Sequence, residues 1–364
     1  MKKSMCSIDE VISLLMEWVN TNSGSLNQKG LEKMSQKLDA AFGPFDRLPI
    51  PNYEFLNSDG KKMLLPSSPV LRKVVNPTAH KQVLLVGHQD TVFAQDHPFQ
   101  TGRMVSEGIF RGPGSADMKG GLLVMLLVVE ALKHEEVGLE ILINPDEEIG
   151  SRSSRMLLEE AAKRHQLAVV FEPAMPCGAL VSDRGGSWTL SLFARGREAH
   201  AGRDPEAGRS SIHALADLIM QMEKRVKLLN VGKITGGRGA NIVASEAFCQ
   251  INIRGSLNPL AVLEEVIREM ETKRDVTITV HIDSERPPKP LTMKMKEMMP
   301  LIPTAWQSTN GVCDGNLLAA NGLTVIDTLG VVGGALHTER EWMQIDSIFE
   351  RAQWTIDLIR KVIA

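Results

Sequence analysis

Apolar and polar positions along the chain change rhythm three times. Residues 7–19 and about 29–42 repeat apolar positions at helical spacing and predict two amphipathic helices, and a Pro-rich stretch of loops and short strands follows over 43–80. Three short apolar runs then share one design. QVLLVG leads into His88-Gln89-Asp90, LEILIN into Pro145-Asp146-Glu147-Glu148, and LAVVF into Glu172-Pro173. Unbroken apolar runs of this length, alternating with helical segments at 119–133 and 153–163, predict buried strands of a mostly parallel α/β sheet flanked by helices. Such sheets bind ligands beyond the carboxyl ends of their strands, which puts His88, Glu147, Glu148 and Glu172 on one rim.

From about Gly185 the rhythm becomes strand (SWTLSLFAR), helix (205–225), two strands (LLNVGKIT and NIVASEAFCQINIR), helix (259–273) and strand (VTITVHI). That order is βαββαβ, the ferredoxin-like α+β pattern. The first rhythm returns with TVIDTL, a glycine-rich loop to His337, and a helix over 345–362. The expected organisation is a discontinuous larger domain, residues 1–184 and 292–364, interrupted by an inserted smaller domain at 185–291. The Met-rich stretch 293–299 reads as packing.

Composition narrows the function. With 41 Lys+Arg against 44 Asp+Glu in 364 residues, the net charge of −3 leaves no basic footprint for nucleic acid or anionic membrane. Cys6, Cys177, Cys249 and Cys313 form no CxxC pair, which disfavours a disulfide framework or a cysteine zinc knuckle and suits a reducing cytoplasm. The start MKKSMCSIDE lacks the apolar run of a signal peptide, and the apolar stretch 122–129 is far short of the ~20 residues that span a bilayer.

Each candidate group has two readings. Glu147-Glu148 is either an acidic turn before the next helix or a metal ligand beside a substrate-facing carboxylate. His88 is either a loop histidine or a ligand oriented by Asp90. The loop GPGSADMKGG is either a weak phosphate cradle or a setting for Asp117 as helix N-cap and metal ligand. His337 is either a surface turn or a second imidazole. Together these groups offer an imidazole and carboxylate set suited to Zn²⁺, with Co²⁺ or Mn²⁺ as substitutes.

GHQDTV, GPGSADMKGG, PDEEIGS, FEP, EAHAG and ALHTE, in this order, resemble the co-catalytic zinc peptidases of the aminoacylase and succinyl-diaminopimelate desuccinylase group, and most of all its glutamate carboxypeptidases of the carboxypeptidase G type. The resemblance runs from about residue 80 to the C-terminus. It implies two zinc ions per subunit bridged by Asp117, with His88 and Glu172 completing one site and Glu148 and His337 the other. Glu147 would be the general base, and Asp117–Met118 a cis peptide. In similar enzymes the lid histidine, here His200, stabilises the oxyanion, often from the partner subunit of a homodimer. Asn241 and Arg254, and more loosely Arg286, match positions that hold the substrate's carboxylate. Two departures stand out: Cys177-Gly178-Ala179 replaces a lysine-bearing segment, and Cys313 replaces a threonine before Asp314.

The implied activity is hydrolysis of an amide next to a free carboxylate, as by a glutamate carboxypeptidase, an N-acyl-amino-acid deacylase or a dipeptidase. A non-catalytic metal- or amino-acid-binding protein on the same scaffold is the alternative from another class. A nucleotide-binding protein built on the 112–121 loop is a third.

Overall fold

The computed structural model describes residues 7–363; the extreme N-terminus, including Cys6, lies outside the described residues. A six-stranded sheet orders Asp46–Leu48, Val70–Val75, Gly138–Asn144, Gln82–His88, Leu167–Val170 and Thr324–Ile326. The last four are mutually parallel, while the first two run antiparallel at one edge. Alternate residues of the central strands serve opposite faces. Val83, Leu85, Ile141 and Val169 join one core, whereas Leu84, Val86, Leu142, Ala168 and Val170 join another. Burial on both faces explains why these strands read as unbroken apolar runs. In register His88 lies opposite Asn144, and Val86 opposite Val170, so the strands end almost level and their following residues share one rim.

The apolar run 122–129 lies within the Gly120–Leu132 helix and is wholly buried. That helix starts later than its residue pattern predicts. Ser115–Lys119 forms a separate turn with non-helical backbone at Asp117 and Met118, and the peptide between those two is cis, as expected. Asp117 therefore does not cap the helix. Lys119 holds the cap position without a side-chain bond, and the Asp117 carboxylate is free for other partners. A small sheet that the sequence reading missed pairs Gly333–Gly334 with Trp342–Gln344, and the latter with Ile109–Arg111. It straps the loop bearing His337 to the loop bearing Asp117.

Gly186–Arg195, Leu228–Gly236, Glu246–Gly255 and Thr277–Arg286 form a second, antiparallel sheet. Its apolar face packs on the helices Ser211–Arg225 and Leu260–Arg274 in a core of its own. Strand and helix order match the ferredoxin-like expectation. The helix expected over 205–225 is instead broken: Pro205–Ala207 makes one tight turn, Gly208 is extended, and Ser210 caps the true helix by accepting from the His213 N–H. Gly208 packs so close to Val243 that a Cβ there would sit 2.7 Å from it. Within the Met-rich stretch only part of the packing expectation holds, since Met295 is buried but Met293 is 68% exposed. Among the described residues the cysteines are unpaired, and no helix is long and apolar enough to cross a membrane.

Gly121, in the first turn of the buried helix, lies against the Phe171 carbonyl, and a Cβ there would stand 2.0 Å from that oxygen. Gly121→Val therefore forces helix and strand end apart. Urea unfolding of this variant is expected to show a loss of about 1–3 kcal/mol.

Candidate metal centre

At the rim, the backbone presents each carboxylate or imidazole from a different element. His88 ends its strand, Glu147 and Glu148 form a short turn after theirs, and Glu172 follows Phe171 at the end of a third. Asp117 reaches in from the kinked turn, and His337 from a loop where it takes a left-handed φ of 61°. The two oxygens of Asp117 divide between the histidines. Oδ1 lies 3.2 Å from His88 Nε2 and Oδ2 lies 3.2 Å from His337 Nε2. Glu172 stands 3.7 Å from His88 and Glu148 3.3 Å from His337. Ligand atoms of His88, Asp117 and Glu172 lie within 4.8 Å of one another, and so do those of Asp117, Glu148 and His337. Two three-residue groups thus share one aspartate.

Supporting contacts fix this arrangement. Asp90, fully buried, lies with Oδ1 3.3 Å from His88 Nδ1, which also meets the Asp90 carbonyl at 3.0 Å. The same carboxylate accepts the backbone N–H groups of Glu147 and Glu148, each at 3.1 Å. It therefore orients one imidazole and both acids at once. Glu341, which the sequence reading passed over, is also fully buried and accepts from the N–H groups of Gly114, Ala116 and Asp117 at 3.1, 2.9 and 3.1 Å. The available signal was an acid in the same turn as His337, beside a strand of the small sheet.

Arg286 differs from its expected use. It is 1% exposed, and its Nη atoms donate to Asp314 Oδ1 and Glu147 Oε1 at 2.8 Å each and to Ser151 Oγ at 2.9 Å. Two buried carboxylates need a cation more than the surface does, and Arg286 supplies it. His200, Asn241 and Arg254 do not join the group within this chain. His200 and Asn241 are exposed; His200 Nδ1 accepts from the N–H groups of Gly202 and Arg203, and Arg254 donates to Asn252 Oδ1 and the Asn310 carbonyl. Cys313 is buried and caps the Asp314–Ala320 helix, a role its sulfur fills in place of a hydroxyl; Cys177 is exposed.

Burial dominates the electrostatics. It pushes Glu147 up to about 8 against the pull of Arg286, and Glu148 up to about 7 with help from the Asp117 charge. Glu172 goes well above the usual carboxylate range and Glu341 to about 8, both chiefly through burial. Burial acts on Asp117 too, but the hydrogen bonds from His337 and His88 outweigh it and hold that carboxyl low. His337, bonded to Asp117 and Glu148, is raised to about 11. Without a metal the centre has more carboxylates than it can charge, so it retains protons. In addition, Glu148 Oε1 is buried with no hydrogen-bond partner among the described residues. Two imidazoles, three carboxyl groups and an orphaned oxygen, once a cation displaces the protons they hold, would make a donor set that fits a divalent cation of the zinc type.

The sequence pattern of peptidase family M20/M25/M40 matches residues 84–361. The chain belongs to that family. It is a metallopeptidase of the M20 kind and a hydrolase. Carboxypeptidase G2 of Pseudomonas sp. (strain RS-16) is 26% identical over 375 residues, spanning 96% of this chain and 88% of that protein. Succinyl-diaminopimelate desuccinylase of Pseudoalteromonas translucida (strain TAC 125) is 26% identical over 276 residues, 67% of this chain and 73% of that one. Among solved structures, an M20 family metallo-carboxypeptidase from Sulfolobus solfataricus superposes with a TM-score of 0.72 at 16% identity, covering 97% of this chain and 99% of that chain. Aminopeptidase PepT from Bacillus cereus ATCC 10987 gives 0.70 at 18% identity, covering 99% and 100%. These structures share the M20 fold.

The retained protons set a pH dependence. Glu147, Glu148, Glu172 and Glu341 hold protons to higher pH when folded than when unfolded. The contribution of Glu147, Glu148 and Glu341 to stability is complete below about pH 4.5 and disappears as pH rises through about 7–8, and that of Glu172 is lost in the same sense. His337, raised to about 11, acts in the same sense above about pH 6.5, while Lys119, lowered by burial to about 7, opposes it at higher pH. Metal-stripped protein should therefore melt at progressively lower temperature from about pH 5 to about pH 8, and excess Zn²⁺ should flatten the decline, as scanning calorimetry would register.

Proposed function

We propose that the protein is a dinuclear zinc amide hydrolase that releases an amino acid bearing a free α-carboxylate, as carboxypeptidases and N-acyl-amino-acid deacylases do. The observation that carries this reading is the division of the Asp117 carboxylate between two imidazoles, each beside a further acid. His88, Asp117 and Glu172 would hold one ion, and Asp117, Glu148 and His337 the other. The ions would supply Lewis acidity and a water of lowered pKa.

Glu147 takes the proton from the attacking water and returns it to the departing amine. Burial raises its affinity for a proton, the direction that a proton acceptor needs. Arg286, bonded to Glu147 Oε1, holds the carboxylate in one orientation through the cycle and so acts as a positioning residue. Asn241 and Arg254 bind the substrate carboxylate, for which the planar guanidinium is well matched. In this reading His200 donates to the developing oxyanion across a homodimer formed by the ferredoxin-like units. Its exposure and lack of contact with the centre of its own chain support that reading. The names of the relatives support peptide or N-acyl amino acid substrates.

Glu147→Gln keeps the shape and loses the base. It should lower kcat by about 10²–10⁴-fold on whichever dipeptide or N-acyl amino acid is cleaved, with bound zinc unchanged by elemental analysis. Chelation should abolish turnover and added Zn²⁺ restore it. Near-normal turnover by Glu147→Gln, or full activity after metal removal, would overturn the mechanism.

A further inference from the structure

Beside Glu148 a cavity of about 420 Å³ opens between two loops, lined by Gly24, Ser25, Leu26 and Asn27 on one side and Thr91, Val92, Ala94 and Gln95 on the other. The loops are stapled together. Ser25 N–H donates to the Thr91 carbonyl, Thr91 N–H to that of Ser23, and Asn22 Nδ2 to those of Phe93 and Ala94. Gly24 is part of the staple, since a Cβ there would stand 2.5 Å from the Phe93 carbonyl oxygen. The walls are thus fixed before any ligand arrives. Their polar side chains are largely engaged: Ser25 Oγ donates to Asp90 at 2.7 Å, and Asn27 bonds Asn22 and the Gly30 N–H. Leu26 and Val92 stand 58% and 40% exposed and give the two walls an apolar surface at the mouth. Among the described residues no lysine, arginine or histidine lines the cavity, and the ionisable group that does is the acid Glu148.

We propose that this cavity receives the acyl side of the scissile amide and selects neutral, largely apolar groups, such as a medium aliphatic acyl chain or an uncharged side chain. The inference rests on the amide-hydrolase reading above, which already assigns the carboxylate-bearing half of the substrate to Asn241 and Arg254. A preformed pocket of this volume with apolar walls holds such a group well. An anionic tail there would face Glu148 and find no side-chain cation.

The test compares N-hexanoyl-L-alanine with N-succinyl-L-alanine, which differ in the tail and share the amino acid. The zinc-loaded protein is expected to favour the hexanoyl substrate in kcat/KM by about tenfold or more. Leu26→Lys and Val92→Lys, both at exposed positions, should each lower that ratio by about tenfold with zinc content and melting temperature unchanged. A wild-type preference for the succinyl substrate, or a ratio that neither variant moves, overturns the pocket assignment and leaves the amide-hydrolase reading intact. Failure of the zinc-loaded protein to cleave any N-acyl amino acid or dipeptide overturns both.

Discussion

The site depends on negative charge confined at the rim of a buried sheet. Asp117, Glu147, Glu148 and Glu172 crowd into a space where burial alone drives three of them toward the protonated state. Such crowding is unfavourable unless protons or cations neutralise it. Arg286 neutralises the side that faces Asp314 and Glu147. The side that faces Asp117 has imidazoles instead, and these are donors for a metal. Glu147 touches the Arg286 guanidinium and is followed in the chain by Glu148 of the candidate metal group.

Holding that arrangement requires backbone anchors rather than packing alone. Asp90 ties the end of one strand to the turn after its neighbour, because its carboxylate reaches two successive N–H groups. Glu341 does the equivalent work across the longest separation in the site, binding the loop of Asp117 from the turn that carries His337. Each is buried and each is acidic, so each sets a further carboxyl group beside those it helps to arrange. The hydrogen bonds from backbone N–H groups offset that cost locally, as charge-assisted bonds do.

Much of this was legible in the residues because strands buried on both faces leave a distinctive mark. The three apolar runs located the rim, and parallel pairing levelled their ends, which let His88, Glu147, Glu148 and Glu172 be grouped without coordinates. The ferredoxin-like order was readable for the same reason, from strand and helix periods. What escaped was set by tertiary partners. Beyond its place in the turn of His337, nothing local marks Glu341 out from a solvated acid, since its three partners lie over 220 residues away. Arg286 looked like a substrate clamp because an arginine before two prolines says nothing about the buried carboxylates it will meet. The break at Gly208 goes with its close contact to Val243, which lies in another element.

Chemistry and recognition consequently occupy structures of different kinds. The reacting groups sit on strand ends and on loops locked by buried acids, where a small displacement would uncouple the two triads that share Asp117. The residues proposed to meet the rest of the substrate are exposed: Leu26 and Val92 near the rim, and Asn241 on the ferredoxin-like unit. Exposed positions can change without disturbing the buried charge balance. Among the described residues, the absence of cationic side chains around the cavity beside Glu148 is a property of such positions. It follows that the identity of this chain's substrate is written in its loops, while its reaction is written in the rim beneath them.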